Sequence, residues 1–119
     1  MNDFKKLAVW NKSHDLTLKV YRLTANYPRE ELYGLTSQMR RSSASIPTNI
    51  AEGFGRSGDR ERARYLEIAM GSANELEYHL ILSRDLELLN ESEFGMMNRD
   101  VVEVRRMMTS LRKTLKAGS

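Results

Sequence analysis

Cysteine is absent from this 119-residue chain. With it go a disulfide framework, a thiolate metal site and a cysteine nucleophile, and the composition suits a reducing compartment. Histidine is scarce, since only His14 and His79 occur. Di-iron helical bundles place a glutamate three residues before a ligating histidine, and here Asn11 and Leu76 hold those positions. Two histidines on separate helices make no zinc site, so each is expected to be a satisfied, partly buried packing residue. No run approaches the ~20 apolar residues of a membrane span, and the opening MNDFKKLAVWNK has no signal-peptide core. A soluble, cytoplasmic protein with no membrane partner is expected. A phosphate loop, a Ser/His/Asp set and a pair of catalytic carboxylates are missing as well. No catalytic residue, metal or cofactor is therefore assigned, and enzyme activity is not expected.

The alternation of a half-buried strand is missing too, and helical spacing takes its place. The expected fold class is all-α, an antiparallel up-down-up-down four-helix bundle forming one domain over residues 1–119. The first helix covers about Val9 to Tyr27, with Pro28 as its stop. It carries two stripes: Trp10, His14, Leu18 and Tyr21, then Leu16, Val20, Leu23 and Tyr27. Trp10, Tyr21 and Tyr65 read as core positions, as do the seven methionines. A third helix runs from Asp59, its expected cap, to about Leu89. Its seam is Leu66, Ala69, Ala73, Leu76, Leu80 and Ser83, and Gly71, Ser72 and Ala73 leave room for a neighbouring backbone. Asn90 and Glu93 have the spacing of a capping box for the last helix. There Phe94, Met97, Val101, Val104, Met108, Leu111 and Leu115 recur at steps of three and four.

The second helix, about Leu35 to Phe54, is the most unusual. Leu35, Met39, Ile46, Ile50 and Phe54 share one side, and Gln38, Ser42, Ser45, Asn49 and Glu52 form a row beside them. A solvated face is normally richer in Lys and Glu. These short side chains, with Arg41 and Glu75, are expected to form a structural or subunit-interface hydrogen-bond network. Pro47 lies inside the same helix. It has no amide for the Ser43 carbonyl, a defect of about 3 kcal/mol in a helix interior that tertiary contacts must offset.

The net charge is only +3, but its sign alternates along the chain. Residues 1–64 and 99–119 have an excess of cations, whereas residues 65–98 hold Arg84 against seven carboxylates. In an up-down-up-down bundle the two ends then differ in sign. Lys5 and Lys6 join Arg56, Arg60, Arg62, Arg64, Arg112, Lys113 and Lys116 at one end, and Glu30, Glu31, Asp85, Glu87, Glu91 and Glu93 collect at the other. The five arginines and two lysines of that loop and tail are the candidate nucleic-acid contacts. Phosphates rather than bases are the expected target, because no base-reading motif is visible. The rival expectation is a protein-interaction scaffold, in which the acidic end or the last helix recruits a partner.

The run Gln38, Arg41, Ser45-Ile46-Pro47 and Asn49-Ile50-Ala51-Glu52-Gly53, followed by Gly71-Ser72 and Glu75-Leu76, resembles the four-helix bundle family of 23S rRNA intervening-sequence proteins. Leu7 to Trp10, the Tyr21 and Pro28 spacing and Tyr33-Gly34-Leu35-Thr36 match as well, so the likeness spans roughly residues 7–115. It is similar, more distantly, to the accessory variability determinant protein of diversity-generating retroelements. Where such relatives often have Ala after the second basic residue, Ser42 and Ser43 stand here and extend the polar row. The resemblance implies a non-enzymatic homo-oligomer, with a homopentameric ring as the best guess. It also implies RNA or DNA as a partner, and a reverse transcriptase or another protein as a further one.

Overall fold

The computed structural model describes residues 3–56 and 58–116. Its four long helices are α1 (Ala8–Thr24), α2 (Ser37–Phe54), α3 (Asp59–Asp85) and α4 (Glu91–Lys113), with no strand among the described residues. The fold class is the expected four-helix bundle, and its boundaries have local causes. α1 stops at Thr24, before the expected Tyr27, because the amides of Asn26 and Tyr27 turn to the nearer carbonyls of Leu23 and Thr24. A wide turn, Leu32–Thr36, precedes α2 and delays its regular part to Ser37. α4 begins as its sequence predicts: the Asn90 side chain accepts from the Glu93 amide (2.7 Å), and the Glu93 carboxylate accepts from the Asn90 amide (3.0 Å).

α3 starts at Asp59 as expected but differs from expectation in its cap and in its far end. Gly58, at φ 95°, holds the cap position instead of Asp59. Asp59 sits in the first turn, where its carboxylate meets Arg62 (3.4 Å) and accepts from the Lys116 amide (2.8 Å). The other end comes at Asp85 rather than Leu89. The Leu88 amide donates to the Ser83 carbonyl (2.8 Å) and the Glu87 amide to that of Arg84 (2.9 Å), with Glu87 at φ 63°. This is a left-handed helix stop in which glycine usually occupies the turning position.

Contacts across the seams fix the topology. Thr17 meets Ser43 and Thr24 meets Arg40; Ser45 meets Ser72 and Met39 meets Ser83; Glu77 meets Arg105 and Glu67 meets Arg112. Each pair of pairs runs in opposite senses, so successive helices are antiparallel. α1 closes the bundle against α4 through Lys19 and Asp100 (2.8 Å). The described chain measures 45 × 23 × 22 Å.

The expected apolar lines meet in the middle. Met39, Ile46 and Ile50 from α2, Leu66, Leu76 and Leu80 from α3, and Met97, Val101, Val104 and Met108 from α4 are fully buried. Burying each contributes roughly 1.5–3 kcal/mol. Ala69 and Ala73 of α3 are equally buried and let its neighbours close in. On α1 only one line is core: Val9, Ser13, Leu16, Val20 and Thr24. That line satisfies both neighbours, so the other stripe stays at the rim. Tyr21 is 46% exposed and Leu18 37%, while Trp10 is half-buried. Trp10 nonetheless packs against the core and Tyr65 is half-buried like it, whereas the core reading of Tyr21 is corrected. So is that of Met96, which is 44% exposed; Met1 lies outside the described residues.

The close approach of backbones also falls elsewhere than at Gly71, where an added Cβ would meet open space. It occurs at Gly53. A Cβ there would stand 2.6 Å from the Cβ of Tyr65 on α3.

Candidate nucleic-acid interface

The antiparallel order brings the start of α1, the end of α2, the start of α3 and the end of α4 to one end of the bundle. Arg56, Arg60, Arg62, Arg64, Arg112, Lys113 and Lys116 are gathered there, with Lys5 and Lys6 beside them. Several of the arginines hold neighbouring carboxylates: Arg56 with Glu52 (2.8 Å), Arg62 with Asp59 (3.4 Å), Arg64 with Glu61 (3.5 Å) and Arg112 with Glu67 (3.7 Å). Rings order them further. The guanidinium groups of Arg56 and Arg64 lie 5.3 and 4.7 Å from the Tyr65 centroid, and that of Arg62 lies 5.5 Å from Phe54. Arg60, Lys113, Lys5 and Lys6 are exposed and carry no ion pair among the described residues. Counting Asp3, Glu52, Asp59, Glu61 and Glu67 against the nine cations leaves an excess of about four positive charges at this end. Glu30, Glu31, Asp85, Glu87, Glu91 and Glu93 lie at the other.

The polar row of α2 forms a smaller network than its seven candidates suggest. Asn49 Nδ2 donates to the Ser45 carbonyl (2.8 Å) and to Ser45 Oγ (2.9 Å), and Ser72 Oγ of α3 donates to the same Ser45 Oγ (2.8 Å). Ser42 is buried but turns its hydroxyl to the Met39 carbonyl (3.3 Å) of its own helix. Glu52 turns to Arg56. Gln38, Arg41 and Glu75 are exposed, outside the three-residue network. Ser72, which completes it, was legible only as a small residue.

The carbonyl left without its amide by Pro47 finds a donor on another helix. Thr17 Oγ1 of α1 donates to the Ser43 carbonyl (2.9 Å), while also lying 3.0 Å from the Ser13 carbonyl. The sequence shows the need for this donor but not which residue provides it.

Asp100 is a second residue that sequence reasoning missed. Its carboxylate is 14% exposed and lies 2.8 Å from Lys19 and 3.4 Å from Lys12. Burial by itself would raise its pKa; the hydrogen bond from Lys19 and the charges of both lysines outweigh this and hold it below the ordinary value. Its place beside Arg99 on a helix whose only other acid past the first turn is Glu103 was the only signal.

The histidines differ from expectation. His14 is exposed and stacks on Trp10, with centroids 5.2 Å apart and planes 7° from parallel. His79 is half-buried, and its buried Nδ1 has no hydrogen-bond partner among the described residues. Burial lowers its pKa against the opposing charge of Glu75. The described residues contain no group of three or more His, Cys, Asp or Glu placed to hold a metal ion, and no helix among them is long and apolar enough to cross a membrane.

Residues 5–110 match the family model of the 23S rRNA-intervening sequence protein. A solved structure from Bacteroides thetaiotaomicron VPI-5482, of a protein with unknown function from the S23 ribosomal protein family, superposes with a TM-score of 0.80 at 27% identity. The match covers 89% of this chain and 99% of that one. No functionally curated protein matches the chain.

Proposed function

The chain belongs to the 23S rRNA-intervening sequence protein family, and from that premise we propose that it is a cytoplasmic, non-enzymatic nucleic-acid-binding protein that works as a homo-oligomer. Phosphates are met at the basic end. The observation that supports this most directly is the set of four exposed cations there, Lys5, Lys6, Arg60 and Lys113, which have no ion pair among the described residues. Each phosphate they neutralise releases condensed counterions, and a ring of subunits repeats the gain around its rim. Arg56, Arg62, Arg64 and Arg112, ordered by carboxylates and rings, flank them as bidentate partners.

Salt-dependent binding of single- and double-stranded RNA and DNA, with solution mass measured alongside, tests this reading. Affinity should fall steeply as salt rises, and an Arg60→Ala, Lys113→Ala double variant should flatten the log–log slope by about one to two. A monomer whose binding is insensitive to salt would remove both claims. A second reading, a protein-interaction scaffold, has one observation in its favour: Tyr33 (92% exposed) and Leu32 (43%) stand beside Tyr21 and Arg41 in a groove on the outside of α1 and α2. Under that reading a Tyr33→Ser variant loses a protein partner while nucleic-acid affinity stays as it was.

A further inference from the structure

Aromatic side chains outside the core cluster where α1 meets α2, beside the basic end. Phe4 packs edge-on against Trp10 (5.1 Å between centroids, 63°), and His14 continues the array as a near-parallel stack on Trp10. Opposite them Pro47, Thr48 and Ala51 of α2 complete a groove of about 560 Å³. The array is held in place: the Asn11 side chain donates to the carbonyls of Lys5 (2.9 Å) and Leu7 (3.0 Å), so the turn that carries Phe4, Lys5 and Lys6 is fastened to α1. Lys5 and Lys6 are exposed without an ion pair. Glu52 also lines the groove, but Arg56 binds its carboxylate at 2.8 Å.

We propose that this groove receives one unpaired base of a single-stranded nucleic acid, stacked on the Trp10–His14 pair while Lys5 and Lys6 meet the adjoining phosphates. The proposal rests on the phosphate-binding reading of the basic end and adds that the strand is single. Its volume belongs to the range of small-ligand clefts, ~300–1,000 Å³, whereas a partner helix is ~10–12 Å across and needs a longer trough. Aromatic faces next to unpaired cations are the combination that single strands use, because every base has a π face and every linkage a charge. A duplex keeps its bases in the stack and can use only the cations.

Trp10 is the only tryptophan, so its emission reports this groove alone. The full chain is titrated with labelled 12-mers of uridine and thymidine, with a duplex and with an abasic phosphate chain. Polarisation of the label reads binding and Trp10 emission reads stacking. Single strands should quench Trp10 with the midpoint seen in polarisation, whereas the duplex and the abasic chain should bind without quenching. His14→Ala should weaken single-strand binding about fivefold or more, leave abasic-chain binding unchanged and keep the melting temperature, since His14 is exposed. His14→Phe should retain the affinity. Single strands that bind without quenching and ignore His14→Ala would overturn this inference and leave the phosphate reading standing. No binding of any nucleic acid at low salt would overturn both. Emission that follows protein concentration rather than oligonucleotide would mean that a second copy of the chain fills the groove, and would also overturn the proposal.

Discussion

α2 and α4 both lie between α1 and α3, yet they are joined to those neighbours by different chemistry. α2 meets them mostly through short groups, Thr17 on the Ser43 carbonyl, Ser72 on Ser45 and an absent side chain at Gly53 against Tyr65, with Arg40 on Thr24 and Arg62 over Phe54 as its long charged contacts. α4 meets them through charges, Asp100 with Lys12 and Lys19 on one side, Glu77 with Arg105 and Glu67 with Arg112 on the other. Contacts between short groups fix distance, so they respond to volume and to the loss of a single hydroxyl. Long charged side chains tolerate displacement and respond to salt and pH instead.

The sharpest way to break this contrast is Gly53→Ala. The added Cβ meets a Cβ anchored to the α3 backbone rather than the end of a flexible chain, and a loss of about 3 kcal/mol in urea unfolding is expected. Thr17→Val should cost about 1–2 kcal/mol by leaving the Ser43 carbonyl without a donor. In a Pro47→Ala background, where the amide returns, the same change should cost less, and equal losses in both backgrounds would refute the pairing. Asn49→Ala should cost about 1 kcal/mol; an unchanged melting temperature and assembly state would show that its hydrogen bonds to Ser45 organise nothing.

On the α4 side Asp100→Asn should also cost about 1 kcal/mol, and the deficit should shrink in high salt. Acid sharpens the same point. The folded-state pKa values of Asp100 and His79 both lie below their ordinary ones, so each contributes stability that is present above the unfolded value and lost as pH falls. For His79 the loss begins below about pH 6.5 and for Asp100 below about pH 4. Stability measured against pH should fall first through the His79 range and then through the Asp100 range, the upper loss being reduced by His79→Gln and the lower by Asp100→Asn. The smallest effect belongs to Arg112→Gln. Both members of its pair with Glu67 are over a third exposed, and the change should stay under about 0.5 kcal/mol.

The sequence made the core legible wherever spacing and chemistry agreed. The lines of α2 and α3, and the middle of that of α4, are buried as predicted because each of these helices shows one apolar side, while Phe94, Leu111 and Leu115 at the ends of the α4 line are half-buried. Asn90 and Glu93 cap α4 because that box depends only on neighbours three apart. α1 was ambiguous because two stripes of similar apolarity run along it, and only docking decides which becomes the rim. Glu87 hid the end of α3, since a left-handed stop without glycine has no local signature. Gly53 and Gly71 look alike as letters, and only the approach of Tyr65 distinguishes them. At the basic end the clustering of cations could be read from chain order. Of the carboxylates that hold four of them, Glu52, Asp59 and Glu61 stand three or four positions from their arginines and could be read from spacing, whereas Glu67 could not, because it finds Arg112 only through the register of α3 against α4.

The hydrogen bond from Thr17 to Ser43 also sets an order of construction. Residues 37–54 in isolation contain a proline gap and only short polar groups to stabilise the turn around it, so a peptide of that span should show little helix by circular dichroism. α2 is a conditional element, complete only when α1 is docked. Because α1 leaves the ribosome first, the growing chain carries the donor before it exposes the carbonyl that needs it.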